Sequence, residues 1–172
     1  MKSFHALLPM NAKSALDSRY ADALAHLNER HATVHLIMHH TPAVHQNGHG
    51  NALQNYQEQT ERMGQYLKYE TMDRQVMKIQ AEYPNLMFAY HVTSYPLQQF
   101  ITRLQDDAEV QLIIIDESVL DNFDGPESHP LAFLQSLQDI PVWRIEEGDE
   151  DAAATDHPYM GQRSQSSMSL SN

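Results

Sequence analysis

The chain lacks cysteine, and this absence excludes several kinds of chemistry. None of the 172 residues is a cysteine, so disulfide bonds, thiol catalysis and zinc sites with cysteine ligands are excluded. No stretch approaches the roughly 18 consecutive apolar residues of a membrane-spanning helix, which predicts that nothing inserts into a membrane. The apolar run near the N-terminus is also too short for an export signal. We therefore expect a cytoplasmic protein.

Basic residues are scarce as well. The sequence has 11 Lys and Arg against 23 Asp and Glu, which gives a formal net charge of −12. Sequence-independent nucleic-acid binding requires a positive surface, and docking on anionic lipid requires the same. The charge therefore predicts partners other than nucleic acid or a membrane surface.

The strongest structural signal is the run VQLIIID at Val110–Asp116. Its four consecutive large aliphatics, residues 112–115, predict a strand buried on both faces, which is typical of a parallel sheet covered by helices. Four further strands are predicted at 4–8, 34–38, 86–92 and 141–145, and helices at 14–30, 51–83, 96–104 and 128–137. Alternating strands and helices predict a three-layer, Rossmann-like α/β sandwich with a five-stranded parallel sheet and right-handed crossovers.

Composition divides the chain into two parts. Residues 1–146 have the apolar content of one α/β domain. Residues 147–172 begin with acidic residues, end in RSQSSMSLSN and contain few core-forming side chains. We therefore predict a disordered tail over 147–172.

The long helix predicted at 51–83 carries its apolar residues roughly on one side. These residues are Leu53, Tyr56, Met63, Leu67, Val76 and Ile79. The simplest interpretation is that this side packs against the core. Alternatively, Met63, Met72 and Met77 form an adaptable surface for a partner, because methionine side chains fit varied shapes.

A candidate ligand crevice follows from the strand order, because open α/β sheets bind ligands at the carboxyl ends of their strands. Polar residues follow three of the predicted strands there. They are Asn11 after the first strand, His39, His40 and Thr41 after the second, and Asp116 and Glu117 after the fourth.

A histidine cluster raises the possibility of metal chemistry. It consists of His35, His39, His40, His45 and His49. With Asp116 or Glu117 on a neighbouring strand end, these residues are suitable ligands for zinc or another divalent ion. The alternative is that the loop histidines are solvated, since no ligand spacing such as HExxH is present. Asp116 with Glu117 similarly suggests either an acid/base pair or two surface acids that end a buried strand.

Four local sequences, taken in order, resemble the universal stress protein family. They are LLPMN at 7–11, HLIMHHTP at 35–42, SYP at 94–96 and DIPVWRI at 139–145, and the likeness covers about residues 3 to 146. The resemblance implies a nucleotide-binding-like five-stranded α/β fold and a role in stress response. It also implies a homodimer formed through the last strand, where Val142, Trp143 and Ile145 would lie.

The sequence departs from the family at the ATP motif. ATP-binding members carry a Gly-x2-Gly-x9-Gly-Ser/Thr pattern after the fourth strand, whereas this chain has DESVLDNFDGPESHP at 116–130, with Gly125 as its single glycine. Asn11 also stands where the family has an acidic residue. The carboxylates of this stretch are Asp116, Glu117, Asp121, Asp124 and Glu127. Beside a phosphate they would repel it by several kcal/mol, at an effective dielectric constant of about 20.

These observations lead to one expected function and two alternatives. We expect a non-enzymatic regulatory or interaction module of the universal stress protein type, with no cofactor and no usual ATP binding, which acts through protein partners. The first alternative is an adenine-nucleotide sensor that binds AMP, adenosine or a related ligand through Asn11 and residues 39–41. The second is a metal-dependent enzyme that uses His39, His40 and Asp116.

Overall fold

The computed structural model describes residues 2–42, 51–120 and 139–146. Its strands are β1 His5–Met10, β2 Thr33–His39, β3 Met87–Thr93, β4 Val110–Asp116 and β5 Val142–Ile145. Its helices are α1 Ala21–Glu29, α2 Asn51–Ile79, α3 Leu97–Asp107 and the short α4 Glu117–Leu120, with a 3-10 turn at Ser18–Tyr20.

The five strands form one parallel sheet. Their order is β3-β2-β1-β4-β5, and each neighbouring pair runs parallel. The chain therefore builds the sheet outward in one direction from β1 to β3 and then returns to place β4 on the other side of β1. This confirms the predicted five-stranded parallel sheet and places its topological switch point between β1 and β4.

Helices cover both faces of the sheet, so the fold has three layers. Leu112 and Ile114 of β4 contribute to a core with α1 and α2, whereas Ile113 and Ile115 contribute to a second core with α3. All four side chains are at most 7% exposed. The unbroken aliphatic run is thus explained by burial on both faces.

The first helix begins later than its apolar periodicity predicts. α1 starts at Ala21 rather than Ser14 and follows the 3-10 turn. The side chain of Asp17 accepts from the backbone N–H of Arg19 at 3.0 Å, and a separate turn holds residues 11–14. Side-chain bonds to the backbone compete with helix formation, which explains the late start.

The long helix α2 is unbroken from Asn51 to Ile79, and Gly64 causes no interruption. Its 29 residues span about 43 Å, whereas a seven-residue strand such as β2 spans about 23 Å. Only Met72, Val76 and Ile79 of this helix are buried. The prediction that the apolar side as a whole packs in the core is therefore wrong for four residues, which are exposed: Leu53, Tyr56, Met63 and Leu67.

Several predicted features lie outside the described residues. These are the helix at 128–137, the tail at 147–172, and the histidines at 45 and 49. Of the helices in the described ranges, none combines the length and apolar character needed to cross a membrane.

Candidate functional site

The candidate site is a crevice that opens where β1 and β4 separate. Backbone pairing between these strands covers only His5–Leu7 of β1 and ends at Leu7 and Ile113. β1 nevertheless continues beside β2 to Met10, and β4 continues beside β5 to Asp116. The carboxyl ends of the two central strands are thus apart, at the switch point where open α/β sheets bind ligands.

A polar cavity of about 510 Å³ occupies this opening. Its volume lies within the range of about 300–1,000 Å³ that is usual for small-molecule sites. The described residues that line it are Asn11, Ala12, Lys13, Ser14, Arg19, Asp116 and Ser118. Two of the predicted crevice residues, Asn11 and Asp116, therefore face the same cavity from the two separated strands.

Asn11 anchors the loop that forms one wall. Its side-chain oxygen accepts from the backbone N–H of Lys13 at 2.9 Å and from the hydroxyl of Ser14 at 3.1 Å. Its own backbone N–H donates to Ser14 Oγ at 2.9 Å. These bonds make a closed turn directly after β1, of the kind that Asn side chains favour. The turn presents Lys13 to the cavity.

Asp116 forms the opposite wall and is buried, with 6% of the residue exposed. Its carboxylate accepts from the hydroxyl and backbone N–H of Ser118 at 2.6 and 3.1 Å. It also accepts from Tyr20 Oη at 3.5 Å and Arg19 Nη1 at 3.4 Å. Burial raises the pKa of Tyr20 far above its usual value, so the phenol keeps the proton that it donates.

The charges of the lining favour an anion over a cation. Arg19 is shared between Asp116 and Asp17, whose carboxylate receives Arg19 Nε at 3.0 Å. Lys13, by contrast, pairs with no carboxylate in the described part of the chain. Donors already surround Asp116, so among the described residues that line the cavity the positive charge without a carboxylate partner is that of Lys13.

Glu117 does not join Asp116 in an acid/base pair. It begins α4, is exposed, and its carboxylate lies 3.5 Å from Arg144 on β5. Asp116 faces the sheet interior and the cavity. The two carboxylates of the predicted crevice thus diverge, and only Asp116 is among the residues that line the cavity.

The structure places His39 and His40, at the carboxyl end of β2, away from this cavity, beside β3 and α2. Burial lowers the pKa of His39, which also bonds to the backbone of Ser94. His40 is buried, its backbone N–H donates to Thr93, and its ring lies against α2, with Nδ1 3.4 Å from Lys68 Nζ. Its Nε2 has no hydrogen-bond partner among the described residues and lies 3.8 Å from Glu61. Thr41 follows as an exposed residue.

The described residues contain no group of three or more His, Asp or Glu side chains arranged to hold a metal ion. His39 and His40 lie by β3 and α2, whereas Asp116 is bonded to Ser118, Tyr20 and Arg19. The set proposed for a metal-dependent enzyme is therefore not gathered in this part of the chain.

β5 occupies one edge of the sheet, where the homodimer interface is predicted. Within the described chain β5 pairs only with β4. Ile145 is buried in the core, while Val142 and Trp143 are half-buried, and Trp143 lies 5.8 Å from the ring of His26. Dimerisation through this edge stays a prediction.

Five of the described residues that line the cavity were not predicted from the sequence: Ala12, Lys13, Ser14, Arg19 and Ser118. Lys13 and Ser118 each lie two residues from a predicted site residue, so the turn chemistry of Asn and Asp, which bond the backbone two residues on, could have found them. Arg19 gave no such signal, because its position depends on the 3-10 turn before α1.

A further group that the sequence did not reveal is a row of three histidines across the sheet, which we call the histidine row. His5 Nδ1 lies 3.0 Å from His35 Nε2, and His35 Nδ1 lies 2.9 Å from His91 Nε2. The row joins β1, β2 and β3 on the face covered by α3, where His91 also contacts the ring of Phe100. Burial, with smaller contributions from His91 and His5, lowers the pKa of His35 to about 4.

The comparisons with known proteins bear on the fold. No family model matches the chain, and no curated protein matches it. Among solved structures, the universal stress protein UspA from Lactobacillus plantarum matches with a TM-score of 0.57 and 12% identity, over 85% of this chain and 99% of that one. A universal stress protein from Archaeoglobus fulgidus, in complex with dAMP, matches with a TM-score of 0.51 and 14% identity, over 85% and 100%.

The chain is thus a five-stranded parallel α/β protein with its cavity at the switch point of the sheet. More narrowly, its fold is that of the universal stress proteins. The resemblance expected from the sequence is confirmed at this level.

Proposed function

We propose that this protein is a non-enzymatic regulatory module of the universal stress protein type, whose crevice between β1 and β4 binds an adenine nucleoside monophosphate. The proposal keeps the expectation that a triphosphate is not bound in the usual way. In place of a module without a ligand, it adopts the first alternative, an adenine-nucleotide sensor. Its binding residues are now Asn11, Lys13 and Asp116 rather than Asn11 and residues 39–41.

The observation that carries the proposal is the charge arrangement of the cavity. Of the acidic residues that argued against phosphate, Asp116 is satisfied by Ser118, Tyr20 and Arg19, and Glu117 lies by Arg144. The other three, Asp121, Asp124 and Glu127, lie outside the described residues. Lys13 remains available for an anion. One ammonium group suits one phosphate, and a charge-assisted bond of this kind is about twice as strong as a neutral one.

Further support comes from the position and size of the cavity. It lies at the switch point, where nucleotides bind in open α/β sheets. The Archaeoglobus fulgidus protein of the same fold is a complex with dAMP. Extended phosphate chains are usually cradled by glycine-rich backbone, and residues 116–130 have one glycine. These points together favour a monophosphate.

The test is nucleotide titration by calorimetry, with thermal unfolding as a second readout. We expect AMP and dAMP to bind and to raise the melting temperature with concentration, because a ligand that binds only the folded state stabilises it. ATP, with or without magnesium, should bind more weakly than AMP. Lys13→Gln should weaken AMP binding about tenfold, which corresponds to about 1.4 kcal/mol, and leave adenosine binding unchanged.

Lys2→Gln is the matched control. It makes the same substitution at an exposed lysine that pairs with Glu109. Both residues lie at the amino ends of their strands, whereas the cavity lies at the carboxyl ends. It should bind AMP as the unaltered protein does. The proposal is wrong if no adenine compound binds at millimolar concentration, or if Lys13→Gln and Lys2→Gln bind AMP equally well.

A further inference from the structure

The N-terminal half of α2 carries an exposed apolar stripe with the spacing of a coiled coil. Leu53, Tyr56, Thr60, Met63 and Leu67 follow each other at intervals of three, four, three and four residues; we call these five residues the seam. Alternating intervals of three and four place side chains on one line along a helix and form the a and d positions of a heptad. The four large apolar residues of the seam are 47–66% exposed.

The seam is not used by the described part of this chain. α2 contacts the core through its C-terminal half, at Met72, Val76 and Ile79. In the N-terminal half, the face towards the sheet carries Gly64 and Lys68, which lie against His40. The seam lies on an adjoining face. Because α2 is about 20 Å longer than a strand of the sheet, this half of the helix extends beyond what the core can cover.

The spacing identifies the kind of partner. A straight apolar line with a repeat of 3.5 residues fits the equivalent line of another helix, knob into hole. Two members of the seam carry a hydroxyl group: Tyr56, whose side chain is exposed, and Thr60, whose hydroxyl already donates to the carbonyl of Tyr56 at 2.9 Å. The seam can therefore be buried against a helix without leaving that hydroxyl unpaired.

The charges around the seam identify the partner more closely. Residues 51–68 contain two acids, Glu58 and Glu61, and two bases, Arg62 and Lys68, so this segment is neutral in a chain of net charge −12. The flanking e and g positions carry no charge: Ala52, Gln57, Gln59, Gly64, Tyr66 and Thr71. These positions usually set partner choice through salt bridges. Because these positions are neutral, they offer no salt bridge to a charged partner helix, and they cause no repulsion between two identical helices.

We propose that the seam binds the seam of a second copy of this protein, so that two α2 helices pair as a short coiled coil. The seam covers 15 residues, or about 22 Å of helix, which is two heptads. Such a contact falls at the small end of protein interfaces, below about 1,200 Å² in total. Association through it is therefore expected to be reversible and dependent on protein concentration.

The first test is sedimentation velocity of the full chain from 1 to 500 μM. The unaltered protein should shift over this range from its smallest unit to a species of at least twice that mass, whether or not β5 already joins two chains. Met63→Gln with Leu67→Gln should weaken association at least tenfold, while circular dichroism and melting temperature stay unchanged, because both side chains are exposed and glutamine favours helices. Met87→Gln is the control, since Met87 is 64% exposed against 57% for Met63 but lies on β3.

The second test uses the absence of cysteine, which makes any introduced thiol unique. Thr60→Cys and Met63→Cys proteins are mixed and oxidised. Disulfide-linked homodimers indicate parallel helices and heterodimers indicate antiparallel helices, and both support the proposal. Gln65→Cys, which lies on the opposite exposed face of α2, should cross-link far less.

Three outcomes would overturn the proposal. If the mass of the protein does not increase up to 500 μM, the seam does not pair with itself. Equal association of the unaltered and doubly substituted proteins would assign dimerisation to another surface, such as β5. Cross-linking of Gln65→Cys as efficient as that of the seam cysteines would show that the disulfides report random collisions.

Discussion

Lowering the pH from 7 to 4 is expected to reduce the free energy of unfolding by about 3 kcal/mol through His35 alone. His35 has its pKa lowered from 6.5 to about 4 in the folded protein. Below pH 6.5 the unfolded chain therefore binds a proton that the folded protein does not yet bind. The stabilisation is complete above that pH and is lost as the pH falls towards 4. The difference of about 2.5 between the two pKa values corresponds to about 3 kcal/mol of unfolding free energy.

The cause is the position of His35 in the middle of the histidine row. The residue is 7% exposed, and its two ring nitrogens are bonded to His5 and His91. A charged imidazole there would lose its hydration and face two other imidazoles. Burial also lowers the pKa of His91, which adds to the acid sensitivity in the same direction.

Urea unfolding at pH 7 and pH 4 tests this expectation. His35→Gln keeps a hydrogen-bond donor and an acceptor without a titrating group, so the pH-dependent loss should shrink by most of the 3 kcal/mol. His31→Asn is the control: His31 is exposed, its φ is 51°, and asparagine tolerates this left-handed conformation. If His35→Gln loses as much stability between the two pH values as the unaltered protein, carboxylates rather than the histidine row dominate acid unfolding.

The sheet was predictable from sequence because each strand is defined by burial. In β4, the absence of any polar alternation over residues 112–115 follows directly from the two cores on its two faces. The start of α1 was not predictable from periodicity, because Leu16 and Tyr20 fit the helical pattern but precede α1, in a segment that contains two turns set by Asn11 and Asp17. A period shows which residues share a face; it does not show where capping bonds stop the helix.

The exposure of the seam and the contacts within the histidine row could not be predicted from the sequence, for a different reason. Periodicity groups Leu53 with Met63, but only the length of α2 relative to the sheet shows that this half of the helix extends past the core. In the row, His35 is opposite Ala89 and His91 is opposite Ile37, so the two rings meet diagonally. Such contacts depend on strand register, which one sequence does not specify. The crevice was predictable in part. The positions of the strand ends predicted Asn11 and Asp116, whereas Arg19 could be assigned to the crevice only from the structure.

Asp116→Ala is expected to reduce the free energy of unfolding by about 3 kcal/mol at pH 7. The substitution removes the acceptor for Ser118, Tyr20 and Arg19. Tyr20 is 1% exposed, so its hydroxyl would be left buried without its partner, at a cost of about 1–3 kcal/mol. Loss of one member of a buried charged pair adds to this cost. Asp116→Asn retains the shape of the side chain and an acceptor oxygen, so it should reduce the free energy of unfolding clearly less than Asp116→Ala does.

A double-mutant cycle with Tyr20→Phe separates the Asp116–Tyr20 bond from the rest of the change. If the two side chains interact as the 3.5 Å contact indicates, Asp116→Ala should cost less in the Tyr20→Phe background, by about 1 kcal/mol. Denaturant unfolding of the four proteins provides the measurement. Strict additivity, or a loss below about 1 kcal/mol for Asp116→Ala alone, would contradict this account of Asp116. In that case the carboxylate would be available to a ligand, and the anion-favouring charge of the cavity would have to be reconsidered.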